Sequence, residues 1–366
     1  MFVGETWKDN HRGVMSTHEL TTLYQLCRLG IPGPVLVSTL FEDLRATIRC
    51  AAMTLLWQPA RSPVARWYYE SESELNCGVV SRQSFSSIFA ASPQADTLTL
   101  LENEPLLSRH IADALPSISH TFEQSAGDLV LHLVHSGKRI GAMLLHRRDT
   151  ESFSTAEKAA LVRWSSTLSS ALDLDTNTCH FVTSEASAGI LLLDSQMKIQ
   201  SACCRGRKLM QLSEAPDCKG SGGYCDGGVR HALQANFGSK STPGVSNFVV
   251  RNGWGRFQFR LHALVDSDFH SDRLTAVAVH LQEPLPLSVL RRAKDLALTV
   301  KQTEICLLLI KGLSYGAVAK QLSISSTTVV DHMRKVYEKV GVGSRSELVA
   351  MLLLGEQGGG ERRGLA

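Results

Sequence analysis

Residues 314–340 read SYGAVAKQLSISSTTVVDHMRKVYEKV, and this stretch decides the fold of the C-terminal part. Ser314 precedes a short helix through Gln321 in which Val318 and Leu322 are apolar. A serine there accepts a backbone N–H and so starts the helix. Ser323-Ile324-Ser325 predicts a tight turn, and Ser325 caps a longer helix over 326–340. Val329, Met333, Val336 and Val340 mark one face of that helix, and Gly341 ends it. Two helices joined by a turn of about three residues, the second long and polar on its outer side, is the geometry of helix-turn-helix DNA readers.

Working outward, Thr299 with Gln302 forms a capping box before the apolar run 305–310, and Gly312 closes that helix. Ser344 with Glu347 predicts a second box opening a fourth helix over 345–354. The outward face of the 326–340 helix carries Thr327, Val330, Asp331, Arg334, Lys335 and Glu338. In a major groove an arginine reaches guanine and a carboxylate accepts from cytosine. Hydroxyls at Ser325, Ser326, Thr327 and Thr328 gather at the helix N-terminus, which suits a phosphate. Lys320, Lys335 and Lys339 are further phosphate candidates. The competing reading of the same pattern is a small helical bundle with an ordinary solvated face.

Charge is distributed unevenly. From residue 291 onward there are 12 Lys and Arg against 7 Asp and Glu, whereas the first 290 residues hold 26 against 28. A local basic excess attracts a polyanion. The whole chain of 366 residues is 43% hydrophobic and 20% charged, an ordinary globular composition with room for two or three domains. No apolar run approaches the roughly 18 residues of a membrane span. The N-terminus lacks the apolar stretch of a signal peptide. Nine scattered cysteines do not make a disulfide framework in a chain this long. A cytoplasmic, membrane-free protein is the expectation.

Upstream, helices are expected over 18–29 and 35–50, and strands over 52–58 and 64–70. LVLHLVH and RIGAMLLHR flank a glycine-containing turn at 136–138 and predict a hairpin. Ser154 with Glu157 is a capping box for a helix to about residue 172. The pattern restarts with a second hairpin at 188–194 and 197–201, a short helix over 206–212 and a glycine-rich loop over 218–228. Strands follow at 245–250, 255–264 and 274–281, and Pro284 and Pro286 stop the sheet.

Leu298, Thr299, Glu304, Gly312, Ser314, Ala319, Leu322, Ile324, Ser325, Thr328, Val329, His332, Lys339, Val342, Arg345 and Leu348 fall in register with one family pattern. Residues 298–348 resemble the LuxR-type (GerE) helix-turn-helix. That resemblance implies dimeric, sequence-specific promoter binding, with Val330, Asp331 and Arg334 at base edges and Thr328 and Lys335 on the phosphate side. Val330 stands in place of the usual lysine, Lys301-Gln302 in place of Arg-Glu, and Gly316-Ala317 in place of Lys-Glu. Losing the lysine weakens non-specific attraction, and a valine methyl suits a thymine methyl instead. His332 is open to two roles, phosphate donor or helix packing. Leu348, Met351 and Leu352 are candidates for a dimer seam or for the unit's own core.

Residues 127–172 resemble the closing half of a GAF domain, with Gly141 in the second strand and Phe153-Ser154 before the terminal helix. Residues 188–212 and 255–284 resemble the ends of a PAS domain. In either family the unit binds a small molecule or only dimerises and relays a signal. The expected fold class is multidomain α+β, two antiparallel-sheet α+β sensor-like domains followed by an all-α four-helix helix-turn-helix domain. The expected boundaries are a flexible N-terminus at 1–17, a GAF-like domain at 18–175, a PAS-like domain at 178–285, a linker helix at 286–297, the DNA-binding domain at 298–354 and a flexible tail at 355–366.

Catalytic and metal chemistry are not expected. There is no phosphate-binding loop G-x-x-x-x-G-K-[ST] and no nucleophile elbow G-x-S-x-G. His132 and His135, three apart on a strand, point to opposite faces. Cys203-Cys204 and Cys218…Cys225 lack the spacing of a zinc site, and Asp194 reads as a turn aspartate. No cofactor is identified, and the ligand of the sensor region is open. The expected partners are double-stranded DNA and a second copy of the chain, with RNA polymerase as a candidate. The alternative is a scaffold protein whose helical domain no longer reads DNA. An enzyme is the third class, disfavoured for want of a catalytic constellation.

Overall fold

The computed structural model describes residues 17–90, 100–102, 105–124, 127–147, 152–174, 180–216, 228–238, 246–264 and 274–354. The glycine-rich stretch 218–227, Cys179, Cys218 and Cys225, and the terminal segments 1–16 and 355–366 lie outside the described residues.

The first unit begins with α1 (Thr17–Cys27) and α2 (Gly33–Ile48), then β1 (Ala52–Trp57), β2 (Val64–Ser71), β3 (Leu75–Ser81) and α3 (Arg82–Ala90). It continues through β4 (Leu100–Glu102), α4 (Pro105–Ala114), α5 (Ser119–Gln124), the hairpin β5 (Gly127–His135) and β6 (Lys138–Arg147), and α6 (Thr155–Leu172). The six strands form one sheet in the order β3-β2-β1-β6-β5-β4. β1 is buried along its whole length because both faces are covered. Met53 and Leu55 face a core shared with α1, α2 and α6. Ala52 and Leu56 face a second core built on α3 and α4. Gly141 is required in β6, since a Cβ there would stand 2.0 Å from the Leu56 carbonyl oxygen of β1. The capping box at Ser154 and Glu157 is present. Glu157 also receives Arg147 at 2.6 Å, and the Arg147 guanidinium lies over the Phe153 ring at 4.0 Å.

On the second face of this sheet His146 bridges two polar side chains. His146 Nδ1 lies 2.8 Å from Asp128 Oδ1, and His146 Nε2 lies 2.8 Å from Thr54 Oγ1. A carboxylate only accepts, so Nδ1 donates to Asp128. β3, α3, β4 and α4 went unforeseen in the sequence. The serine-rich RQSFSSIFA of α3 buries only Phe85 and Ile88, which is too sparse a stripe to read from period alone.

The second unit holds β7 (Phe181–Leu193), β8 (Ile199–Ala202), α7 (Cys204–Glu214), α8 (Gly228–Gly238), β9 (Ser246–Asn252), β10 (Gly255–Ala263) and β11 (Thr275–Pro284). Its sheet runs β8-β7-β11-β10-β9. Phe257, Phe259, Val277, Val279 and Leu191 point inward to the same core as the first unit. α7 is longer than the 206–212 expectation, because Cys203 caps it in place of a hydroxyl residue: its thiol accepts from the Gly206 N–H at 3.2 Å. α8 was not foreseen. Asp194 is a turn aspartate, its Oδ1 accepting from the N–H groups of Gln196 and Lys198 at 2.9 Å each.

The chain ends in α9 (Leu285–Asp295), α10 (Val300–Ile310), α11 (Tyr315–Leu322), α12 (Ser326–Val340) and α13 (Arg345–Leu354). α9 belongs to two cores at once. Leu287 and Leu290 pack with the sheets, whereas Val289 and Ala293 pack with α10–α13. Among the described residues no helix is long and apolar enough to cross a membrane.

Candidate nucleic-acid interface

α10 opens on the Thr299–Gln302 capping box, with both reciprocal bonds made. α11 and α12 open on Ser314 and Ser325, whose hydroxyls accept from Ala317 N–H at 3.3 Å and Thr328 N–H at 3.0 Å. The turn between them places Ser323 in the left-handed region at φ 53° and returns the Ile324 N–H to the Ala319 carbonyl. The expected box at Ser344 is only half made. Glu347 N–H donates to Ser344 Oγ, but the Glu347 carboxylate accepts from Gly343 N–H instead of Ser344 N–H. That bond, aided by the Ser344 hydroxyl, holds the Glu347 carboxyl below its usual range.

α12 is held by Val329, Met333 and Val336, all buried at helical spacing. Tyr337 adds a hydroxyl contact at 3.0 Å to Tyr315 of α11, and burial together with this neighbour pushes its phenol up. Arg345 clamps the Leu309 carbonyl of α10 at 2.7 Å. Sequence reasoning missed these two clamps, since residues 22 and 36 positions apart carry no shared period.

The opposite side of α12 is free. Thr327, Val330, Asp331, Arg334 and Lys335 are exposed, and Val330 stands out as an apolar side chain 48% exposed. Among the described residues none of Asp331, Arg334 and Lys335 is engaged in an ion pair. Threonine, valine or aspartate, and arginine at 327, 330 or 331, and 334 form one stripe, spanning about 10 Å at the helical rise. Ser325 and Lys320 are exposed at the approach to the same end of α12. Thr328 is half-buried, its hydroxyl 2.8 Å from Ser325 Oγ. His332 is half-buried too. Lys339 sits at the far end of the helix, where its Nζ donates to the Ala297 carbonyl after α9. Leu348 and Leu352 of the last helix are 1% and 0% exposed and fill the unit's own core rather than a seam. Met351 alone of that trio is partly exposed.

The chain matches the family described as "GerE: Bacterial regulatory proteins, luxR family" over residues 296–352. Those residues are a GerE domain.

The GerE domain and the helix α9 before it are tied to the first unit by polar contacts that sequence did not foreshadow. Arg28 of α1 lies 3.6 Å from Glu304 of α10. Lys294 of α9 lies 3.3 Å from Asp43 of α2. No curated protein matches the chain. Among solved structures, it is similar to the GAF domain of an Acinetobacter phosphoenolpyruvate-protein phosphotransferase, at 12% identity over 43% of this chain and 94% of that one, with a TM-score of 0.27. A bacteriophytochrome from R. palustris matches at 7% identity, covering 73% of this chain and 64% of that one, with a TM-score of 0.30. Escherichia coli SdiA matches at 10% identity over 92% and 97%, with a TM-score of 0.22.

Proposed function

We propose that the chain is a transcription regulator that binds promoter DNA through α12 of its GerE domain, under control of the two sheet units. The observation that carries this reading is the unpaired, exposed stripe Thr327–Val330–Asp331–Arg334 on a helix whose other side is locked into a core. An arginine with no carboxylate partner keeps its donors for base edges, and the valine methyls suit thymine. Lys335, Lys320 and the hydroxyl of Ser325 serve the phosphates beside it.

Control passes through α9, which places buried residues in both cores. Arg291 of α9 pairs with the buried Glu283 at the end of β11, and Arg292 Nη1 donates to the Met351 carbonyl of α13 at 3.0 Å. A signal that alters the sheet units acts on the GerE domain by shifting the population of this joint. Dimeric binding is part of the proposal, with Met351 the remaining residue of the expected seam. The test is sequencing of the genomic fragments retained by the full chain, followed by titration of the enriched fragment and a scrambled one across salt. Affinity for the enriched fragment should fall steeply with salt and exceed that for the scrambled one. Equal, salt-insensitive retention of both would reject it and favour a scaffold.

A further inference from the structure

The outward face of the second sheet is covered at His280, which is 6% exposed, but open at Ile190 on one side and at Asn247, Val249 and Arg251 on the other. The sheet's inner positions are filled by Phe257, Phe259, Val277 and Val279. The register puts Arg256 of β10 directly opposite Arg251 of β9, on the outward side. Arg260 lies four residues along β10 on the same face. Like charges directly opposed across strands are destabilising. β9 and β10 contain no Asp or Glu to offset them, and among the described residues none of the three arginines is in an ion pair. Arg256 Nε is buried with no acceptor, and its guanidinium rests 5.6 Å from the Phe181 ring centre. Partial burial and the neighbouring Arg251 both pull the Arg256 pKa down. An anionic partner would relieve that cluster.

The same face is apolar on its other half. One register row runs Ile190, Ala278, Arg260, Asn247 across β7, β11, β10 and β9. Ile190 is 56% exposed, and Val249, opposite Gln258 between the arginines, is 36% exposed. Ile190 and Arg260 are two strand spacings apart, about 10 Å. That is the width of a single α-helix with its side chains.

We propose that the outward face of the second sheet is a docking surface for an acidic amphipathic helix of another protein. Its apolar stripe lies on Ile190 and Ala278, and its flanking carboxylates meet Arg260, Arg256 and Arg251. Duplex DNA is a poorer occupant, because phosphates gain nothing from an exposed isoleucine and valine. Among the described residues of β9 and β10 there is no carboxylate, so a second copy pairing through these strands brings the three guanidiniums no counter-charge from them. The proposal stands apart from DNA reading by α12, which lies in a different domain.

The test uses the full chain and two labelled synthetic helices of about 18 residues. Both carry leucines at i, i+3, i+4 and i+7; one is flanked by glutamates and the other by lysines. Fluorescence anisotropy should show the glutamate helix binding about tenfold or more tighter than the lysine helix. Arg256→Gln with Arg260→Gln should weaken the glutamate helix by about tenfold. Ile190→Asp should weaken it as well, with the thermal melt of each variant unchanged. Equal affinity for the two helices, or full affinity in the arginine variant, overturns the proposal. So does an arginine variant that keeps the peptide and loses duplex DNA, which would assign the face to nucleic acid. Failure of DNA binding by Arg334→Ala leaves the peptide result untouched, so the two readings fail separately.

Discussion

Trp254, in the turn between β9 and β10, stacks on Tyr68 of β2 with ring centres 5.9 Å apart and an interplanar angle of 29°. Its other side meets Trp57 of β1 edge-on at 6.1 Å. Beside it, Lys208 of α7 reaches Glu70 Oε1 at 2.8 Å and the Ser71 carbonyl at 2.9 Å. The two sheets therefore share an aromatic core closed by an ion pair.

Trp254 is 1% exposed, so Trp254→Ala removes a large buried ring and leaves a cavity. The expected cost is about 3–5 kcal/mol. Denaturant unfolding followed by circular dichroism checks it. A loss below about 1 kcal/mol would mean the ring is not packed between the sheets as described.

Substitutions on α12 should separate reading from attraction. Arg334→Ala should change base preference at one position, by about 1–3 kcal/mol, while Lys335→Ala weakens all sequences alike. Val330→Lys adds a cation on the exposed stripe and should steepen the salt dependence by about one unit of slope. Competition assays with single-base variants of the bound fragment report all three.

Two glycines should respond in opposite senses to alanine. A Cβ on Gly206 would meet the Ile190 carbonyl oxygen at 2.5 Å, because α7 crosses β7 at Gly189 with backbone on backbone. Gly206→Ala is expected to cost about 1–3 kcal/mol. Gly316 of α11 has nothing within 4 Å of the added carbon, so Gly316→Ala should stabilise by about 0.5–1 kcal/mol. Thermal melts of the two variants decide the signs.

Cysteine reactivity should be graded by environment. Partial burial pushes the Cys203 thiol up, but the backbone N–H groups of Ile190, Gly206 and Arg205 outweigh it and leave the thiol below its ordinary value. Burial pushes Cys27, Cys50 and Cys306 up to about 12. Only the thiolate alkylates, so Cys203 should react with iodoacetamide at a pH below that of an ordinary thiol. The other three should stay unmodified until the protein unfolds. Peptide mapping after a pH series measures this, and labelling of Cys306 before Cys203 would contradict it.

The C-terminal domain was legible because its signals are local. A capping hydroxyl acts within three residues and an apolar stripe repeats within two turns, so Thr299, Ser314, Ser325 and Val329–Val336 could be placed from order alone. The hairpin around Gly137 and the Ser154 box were readable for the same reason. α3, α4 and α8 were not, since helices this short owe their existence to the sheet they cover. The seam reading of Leu348 and Leu352 failed on a similar point: an apolar stripe announces burial without saying against what.

Order along the chain thus settled which segments are helices at the C-terminus, which face of α12 is apolar, and that Arg334 points away from it. Only the folded chain decided that Trp254 meets Tyr68, that Arg28 faces Glu304, and that Arg251 and Arg256 lie opposed on the second sheet. The reason is range. Caps and helical period are written in neighbouring residues, whereas strand register and packing between units join positions far apart in sequence and depend on the summed shape of everything between them.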